Sequence, residues 1–230
     1  MNAYSDSEGQ PEGHQALPFT WDSQNVAALL HPGWQLDLID VAKNHATKRT
    51  LTPPHSTSRE GAGVESLPIH CVGGRIVQQE LPWLVELYQG PFRHIGEQFR
   101  GEPLTPAVDE RYAVVLNVQV PGERYECHVD TNPVEALLYV TDHPRGTGGE
   151  LAVARNTGAR SKEEIDADCD PLYPTEGELV FFDGRFHPHY VRPLLAGEIR
   201  VAVAMNYYTA RVPEATRPPD LNEYLYGPDA

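Results

Sequence analysis

From Tyr112 onward the chain breaks into short runs rich in Val, Leu, Tyr and Phe, each closed by Pro, Gly or Asp, and this texture constrains the fold most. The runs are Tyr112–Val120, Tyr125–His128, Ala136–Thr141, Glu150–Ala154, Glu178–Phe182, His189–Val191 and Arg200–Tyr208. β-Branched and aromatic residues in short, punctuated runs read as strands. So many strands without intervening helical periodicity pack as a jelly roll or barrel.

Ahead of Tyr112 the spacing is different. Asp22-Ser23 can cap a short helix running to Leu30, which His31-Pro32-Gly33 would end, and Trp34 to Ala42 carries a second apolar stripe. Residues 44–66, rich in Thr, Ser, Pro and Gly, read as a long loop. Between Arg75 and Phe99, the residues Ile76, Leu84, Leu87, Tyr88, Phe92, Ile95 and Phe99 recur at mostly helical spacing, broken at Pro82 and Pro91. The expectation is a mainly β protein with N-terminal helices, a double-stranded β-helix of jelly-roll or cupin-like form. Residues 1–20, polar and without apolar period, are expected to be a flexible segment. Residues 21–230 are expected to form one domain, with helical support over 21–100 and a barrel core over about 112–210.

Charge and composition exclude several functions. With 33 acids against 18 bases, a formal net charge of −15 and no Lys/Arg cluster, the chain lacks the basic stripe that nucleic acid requires. No stretch approaches the roughly 18 apolar residues of a membrane span, so a soluble, cytoplasmic protein is expected. Cys71, Cys127 and Cys169 are odd in number and widely spaced, which suits neither a disulfide framework nor a zinc site.

Two sequence words carry chemistry. In a strand, residues two apart share a face, so the side chains of His128 and Asp130 can reach one ion. A histidine from the later word His187-Pro188-His189 would complete two nitrogens and one carboxylate on one side of an octahedron. The three positions left open suit Fe(II), because a bidentate co-substrate and O2 can then bind side by side. His-X-Asp alone is a weak signal, and an isolated histidine is more often structural. Downstream, a turn built on Pro193 and Gly197 leads to Arg200 at the head of an apolar strand. A buried guanidinium demands an anion, either a bidentate carboxylate ligand or an internal Asp or Glu.

The ordered words Pro121-Gly122-Glu123-Arg124-Tyr125-Glu126-Cys127-His128-Val129-Asp130, Leu137-Leu138-Tyr139-Val140-Thr141, Gly148-Gly149-Glu150-Leu151, Gly177-Glu178-Leu179-Val180-Phe181-Phe182-Asp183 and Pro188-His189-Tyr190-Val191-Arg192-Pro193, followed by Arg200, resemble the 2-oxoglutarate and iron(II)-dependent oxygenases of the prolyl-hydroxylase-like type. The resemblance runs from about Tyr112 to Tyr208. It implies that His128, Asp130 and His189 hold Fe(II), that Arg200 binds the distal carboxylate of 2-oxoglutarate, and that Tyr139 also touches this co-substrate. For Tyr139 the other reading is core packing with a satisfied hydroxyl. Tyr125 and Asn206 match positions that line the substrate pocket in relatives. The spacing from His189 to Arg200 is longer than in many relatives, so a bulge near Glu198-Ile199 is expected to turn Arg200 inward.

The implied activity is oxidation of a small molecule, an amino acid or natural-product intermediate, by O2 with release of succinate and CO2. Asp130 stands where halogenating relatives carry a small residue, so hydroxylation or a related oxidation is expected. The alternative is a cupin-like metalloprotein, an isomerase or binding module, that does not use 2-oxoglutarate. The polar stretch 155–174 carries Glu163, Glu164, Asp166, Asp168 and Asp170. It reads either as a solvated loop or as an acidic border of the barrel mouth that steers a substrate bearing a free amine, with Tyr125 and Asn206 orienting it.

Overall fold

The computed structural model describes residues 19–52, 56–60, 66–195, 199–219 and 221–226. Its strands are β1 (Trp21–Asn25), β2 (Thr47–Leu51), β3 (Leu67–Val72), β4 (Thr105–Pro106), β5 (Val114–Gln119), β6 (Val134–Tyr139), β7 (Leu151–Ala154), β8 (Cys169–Leu172), β9 (Glu178–Phe182), β10 (His189–Val191) and β11 (Arg200–Tyr208). Its helices are α1 (Trp34–His45), α2 (Gly74–Glu80), α3 (Pro82–Leu87), α4 (Arg93–Arg100), α5 (Lys162–Ala167) and α6 (Leu221–Tyr226).

A large antiparallel sheet runs β1-β9-β6-β11-β5-β3-β2, with β4 on β11, and a smaller sheet is ordered β10-β7-β8. Strand β11 shows why the layers form. Its alternate residues Val201, Val203, Met205 and Tyr207 face outward into a core shared with Leu38, Leu84 and Phe92 of the helical layer. Burying an aliphatic or aromatic side chain of this size contributes roughly 1.5–3 kcal/mol, so the helices are held mainly by this face. The other set, Ala202, Ala204 and Tyr208, packs inward with Leu151, Val153 and Val191 of the small sheet. Two opposed antiparallel sheets closing on one interior make the double-stranded β-helix expected from the sequence. Alanine at 202 and 204 leaves open space in that interior, where Arg200 and Asn206 also stand.

The expected strands at 178–182, 189–191 and 200–208 and the helical layer from Arg75 to Phe99 are present. Four local expectations are corrected. Trp21–Asn25 is an edge strand paired with β9, and only Ala27–Leu29 turns, as a 3-10 helix; the ladder outweighs the capping signal of Asp22-Ser23. The 44–66 stretch contains β2, whose Thr47-Lys48-Arg49-Thr50 lacks an apolar alternation because it is an edge strand. Tyr125–His128 is extended chain with isolated bridges from His128 to Ser58 and His189, not a strand. The 155–174 stretch holds α5, capped by Ser161 Oγ accepting from the Glu164 amide at 3.2 Å, and then β8. Of the N-terminal segment expected at 1–20, residues 1–18 lie outside the described residues. So does Glu198, where a bulge was expected; Arg200 enters regular pairing opposite Gln119.

Candidate active site

His128 and His189 are partners across an isolated antiparallel bridge: the His128 amide donates to the His189 carbonyl at 3.0 Å and the reverse bond is 2.9 Å. Directly opposed residues project to the same side of a ladder, so both imidazoles lean into the barrel, with ring centroids 4.4 Å apart. Asp130, two residues beyond His128, joins them. Its Oδ1 lies 3.7 Å from His128 Nε2 and 3.6 Å from His189 Nε2. One ligand atom from each of the three residues can be chosen so that all lie within 4.8 Å of one another.

The imidazoles are oriented by the same device. His128 Nδ1 donates to the Glu126 carbonyl at 2.8 Å, and His189 Nδ1 to the His187 carbonyl at 2.9 Å. Each Nε2 is thereby left to offer its lone pair inward, as a metal ligand must. Burial and the neighbouring His189 hold the His128 imidazole below its ordinary pKa. Burial would push the Asp130 carboxyl up, but the two imidazoles outweigh it and hold it below the usual carboxylate range. For His189, burial is likewise outweighed, by Asp130, and its pKa is raised. A divalent ion fits this donor set. The second oxygen, Asp130 Oδ2, is buried without a hydrogen-bond partner among the described residues.

Space for that carboxylate comes from Gly184, a residue the sequence reading passed over. A Cβ at Gly184 would stand 2.0 Å from Asp130 Oδ2 and 2.8 Å from His189 Cε1, while its carbonyl receives the Asp130 amide at 3.1 Å. Gly184→Ala should therefore displace Asp130 and weaken Fe(II) affinity by roughly tenfold, the order seen when groups supporting metal ligands are lost. A competition titration against a chelator checks this; unchanged affinity would mean that the carboxylate yields without cost.

His187 is not in the cluster. Its Nδ1 bonds the Ala154 carbonyl at 2.9 Å and its ring packs on Phe19. Arg200 is 1% exposed and lines the cavity beside the cluster. Among the described residues it forms no ion pair with a carboxylate, and its Nε has no hydrogen-bond partner. Tyr139, fully buried, lies under the guanidinium, with Arg200 Cζ 5.5 Å from the ring centroid; burial raises its hydroxyl pKa and the neighbouring Arg200 opposes that rise. Tyr125 and Asn206 both line the cavity. The Tyr125 hydroxyl donates to the Val118 carbonyl at 3.2 Å, and Asn206 Nδ2 to the Tyr112 carbonyl at 2.9 Å.

The acidic stretch does not border this cavity, which corrects the electrostatic reading of it. None of its residues lines the cavity. Asp168 and Asp170 pair with Arg155, and Asp166 receives the Tyr190 hydroxyl and Arg192 Nε at 2.7 and 2.8 Å. Buried polar residues that the sequence reading did not single out, Asn132 and Glu135, stand in the cavity wall with half-buried Arg217, and Leu221 and Leu225 of α6 complete it. Burial, and then the Asp130 charge, push the Glu135 carboxyl well above the usual range.

Two histidines and one carboxylate converging inside a double-stranded β-helix, with a buried arginine beside them, are the donor set that non-haem iron oxygenases use. Residues 111–208 match the family described as the 2OG-Fe(II) oxygenase superfamily. The chain's cofactors are the superfamily's Fe(II) and 2-oxoglutarate, with O2 as oxidant. No curated protein matches the chain in sequence. Among solved structures it is similar to an oxidoreductase of the 2OG-Fe(II) oxygenase family from Burkholderia pseudomallei (12% identity, 82% of this chain and 84% of that one, TM-score 0.58). It is also similar to AviO1 from Streptomyces viridochromogenes Tue57 (15%, 85% and 92%, 0.59). A third is the non-haem α-ketoglutarate-dependent epimerase SnoN from nogalamycin biosynthesis (15%, 83% and 78%, 0.57). Among the described residues no helix is long and apolar enough to cross a membrane.

Proposed function

We propose that the protein is an Fe(II)- and 2-oxoglutarate-dependent hydroxylase of a small molecule, with His128, Asp130 and His189 as the metal ligands and Arg200 as the anchor of 2-oxoglutarate. The observation that carries this reading is Arg200: a guanidinium buried in an apolar barrel, beside three convergent ligand atoms, with no acid among the described residues to neutralise it. A buried, unpaired charge is strongly unfavourable, so its position is explained by an anionic ligand that arrives from solution. A cupin-like protein that binds metal without 2-oxoglutarate has no use for it.

Each residue then has a task. His128 and His189 present Nε2 while the Glu126 and His187 carbonyls fix their rings. Asp130 contributes its carboxylate in the slot left by Gly184. Arg200 grips the carboxylate remote from the metal, and Tyr139 beneath it offers a hydroxyl to the same group. Leu137, Leu151, Phe182 and Val191 line the intervening wall and limit water. Fe(II) with 2-oxoglutarate and O2 supplies an oxidant able to take hydrogen from an unactivated C–H bond, with succinate and CO2 as by-products. The protein's work is to present one such bond to it. A small-molecule substrate is in keeping with the similarity to SnoN, an epimerase from nogalamycin biosynthesis.

Anaerobic addition of Fe(II) and then 2-oxoglutarate to the purified protein should produce a visible metal-to-ligand charge-transfer band. Admission of O2 with a substrate pool should release succinate and give a product carrying oxygen from labelled O2. A band that does not depend on 2-oxoglutarate, or its absence, would overturn the co-substrate assignment; a product without added oxygen would overturn hydroxylation.

A further inference from the structure

Beyond the three candidate metal ligands, the cavity holds an acid and a base, Glu135 and Arg217, whose side chains do not meet. Glu135, on β6, is 8% exposed and lines the cavity. Asn132 Nδ2 donates to its Oε2 at 2.8 Å, while no described donor bonds Oε1. Directly across the ladder from Glu135 is Asn206, whose Nδ2 is committed to the Tyr112 carbonyl, so its Oδ1 is left as an acceptor. Opposed residues of a strand pair share a face with Cβ atoms about 5 Å apart, which places a carboxyl and an amide carbonyl side by side in one wall.

Arg217 comes from the other side, out of the segment leading into α6. Its Nε donates to Asn222 Oδ1 at 2.7 Å and its Nη1 to Thr131 Oγ1 at 3.0 Å, and the guanidinium lies 3.8 Å over the Tyr112 ring. Those contacts fix it in the cavity wall, with the Tyr208 hydroxyl beside it, and no described carboxylate forms an ion pair with it. Arg217, Glu135 and Asp130 all line this one cavity. A buried acid and a base that share a cavity yet stay unpaired are poised for a ligand carrying both complements.

We propose that the substrate is a zwitterion of the α-amino-acid type, its ammonium held by Glu135 Oε1 and Asn206 Oδ1 and its carboxylate by Arg217. This deepens the hydroxylase reading and rests on it. A divalent ion and Arg200 are matched in charge by Asp130 and the two carboxylates of 2-oxoglutarate, which leaves Glu135 and Arg217 for the substrate. A ligand clamped at both ends next to the metal cluster would be oriented by its backbone, with its side chain free to reach the oxidant.

The test is a titration of the anaerobic Fe(II)/2-oxoglutarate complex with the twenty proteinogenic amino acids, each also supplied N-acetylated and decarboxylated, reading the shift of the charge-transfer band. At least one free amino acid should perturb the band, and blocking or removing either charged group should weaken its binding at least about tenfold, as loss of one partner of a buried charged pair does. Glu135→Gln should erase the preference for the free amine over the N-acetyl form, and Arg217→Gln the preference for the acid over the amine lacking it. The proposal is overturned if no amino acid shifts a band that the parent protein forms, if the tightest ligand lacks either group, or if Glu135→Gln keeps the free-amine preference. A parent protein that forms no band at all would bring down the co-substrate assignment, and this proposal with it.

Discussion

Replacing His189 with alanine should abolish the charge-transfer band of the anaerobic Fe(II)/2-oxoglutarate complex, whereas His187→Ala should keep it. The two histidines stand on either side of Pro188, and only one converges on Asp130. His189 Nε2 is 3.6 Å from Asp130 Oδ1, and it supplies one of only two nitrogens in the cluster. Its removal leaves one imidazole and one carboxylate, too few to hold a divalent ion against water at micromolar metal. His187 instead fastens the Ala154 carbonyl and packs on Phe19, so its loss costs local packing at the start of β10. Absorbance titration of both variants decides the matter. A band that survived in His189→Ala and vanished in His187→Ala would reassign the third ligand.

The second large effect is expected at Arg200. Truncating one partner of a fully desolvated, charge-assisted pair costs about 2–5 kcal/mol, and Arg200 is 1% exposed, so solvent screening does not reduce that figure. Arg200→Ala should raise the 2-oxoglutarate concentration needed for half-maximal band intensity by roughly 30-fold or more. Fe(II) affinity measured without 2-oxoglutarate should change little, since the three ligand atoms are held by other contacts. A variant that saturates at the parent concentration would show that another cation anchors the co-substrate, and Arg217 also lines the cavity.

The parts of the site that could be read from the sequence are those in which short-range geometry does the work. His128 and Asp130 share a side because they are two residues apart in extended chain, and Arg200 was conspicuous as a full charge heading an apolar strand. The barrel strands were legible for the same reason, since each carries its own alternation or apolar run. Gly184 was missed because its role is an absence of atoms beside a carboxylate more than fifty residues earlier. Glu135 announces itself only as one acid in the run Val134-Glu135-Ala136; its significance appears when β6 is laid against β11 and Asn206 falls opposite. Arg217 lies beyond the last core strand, and nothing local says that it returns to the cavity. Edge strands β1 and β2 were hidden by their polar composition, which marks a position at a sheet border. The acidic stretch misled in the opposite way: its charge pattern is plain, but Asp168 and Asp170 fold back onto Arg155 at the stretch's own start, and Asp166 is paired by Arg192 from beyond it.

Strand β11 carries the outer core on its odd-numbered residues from Val201 to Tyr207 and the cavity side on Arg200, Ala202, Ala204 and Asn206. A slip of one residue against β5 or β6 would exchange the two sets, thrusting a guanidinium and an amide into the helical layer and filling the cavity with Val203 and Met205. Misregistered chains would therefore be unstable and, with Arg200 in its proposed role, unable to take 2-oxoglutarate. A co-substrate that binds only the correctly threaded barrel would act during refolding as a proofreader, enriching the native register by mass action.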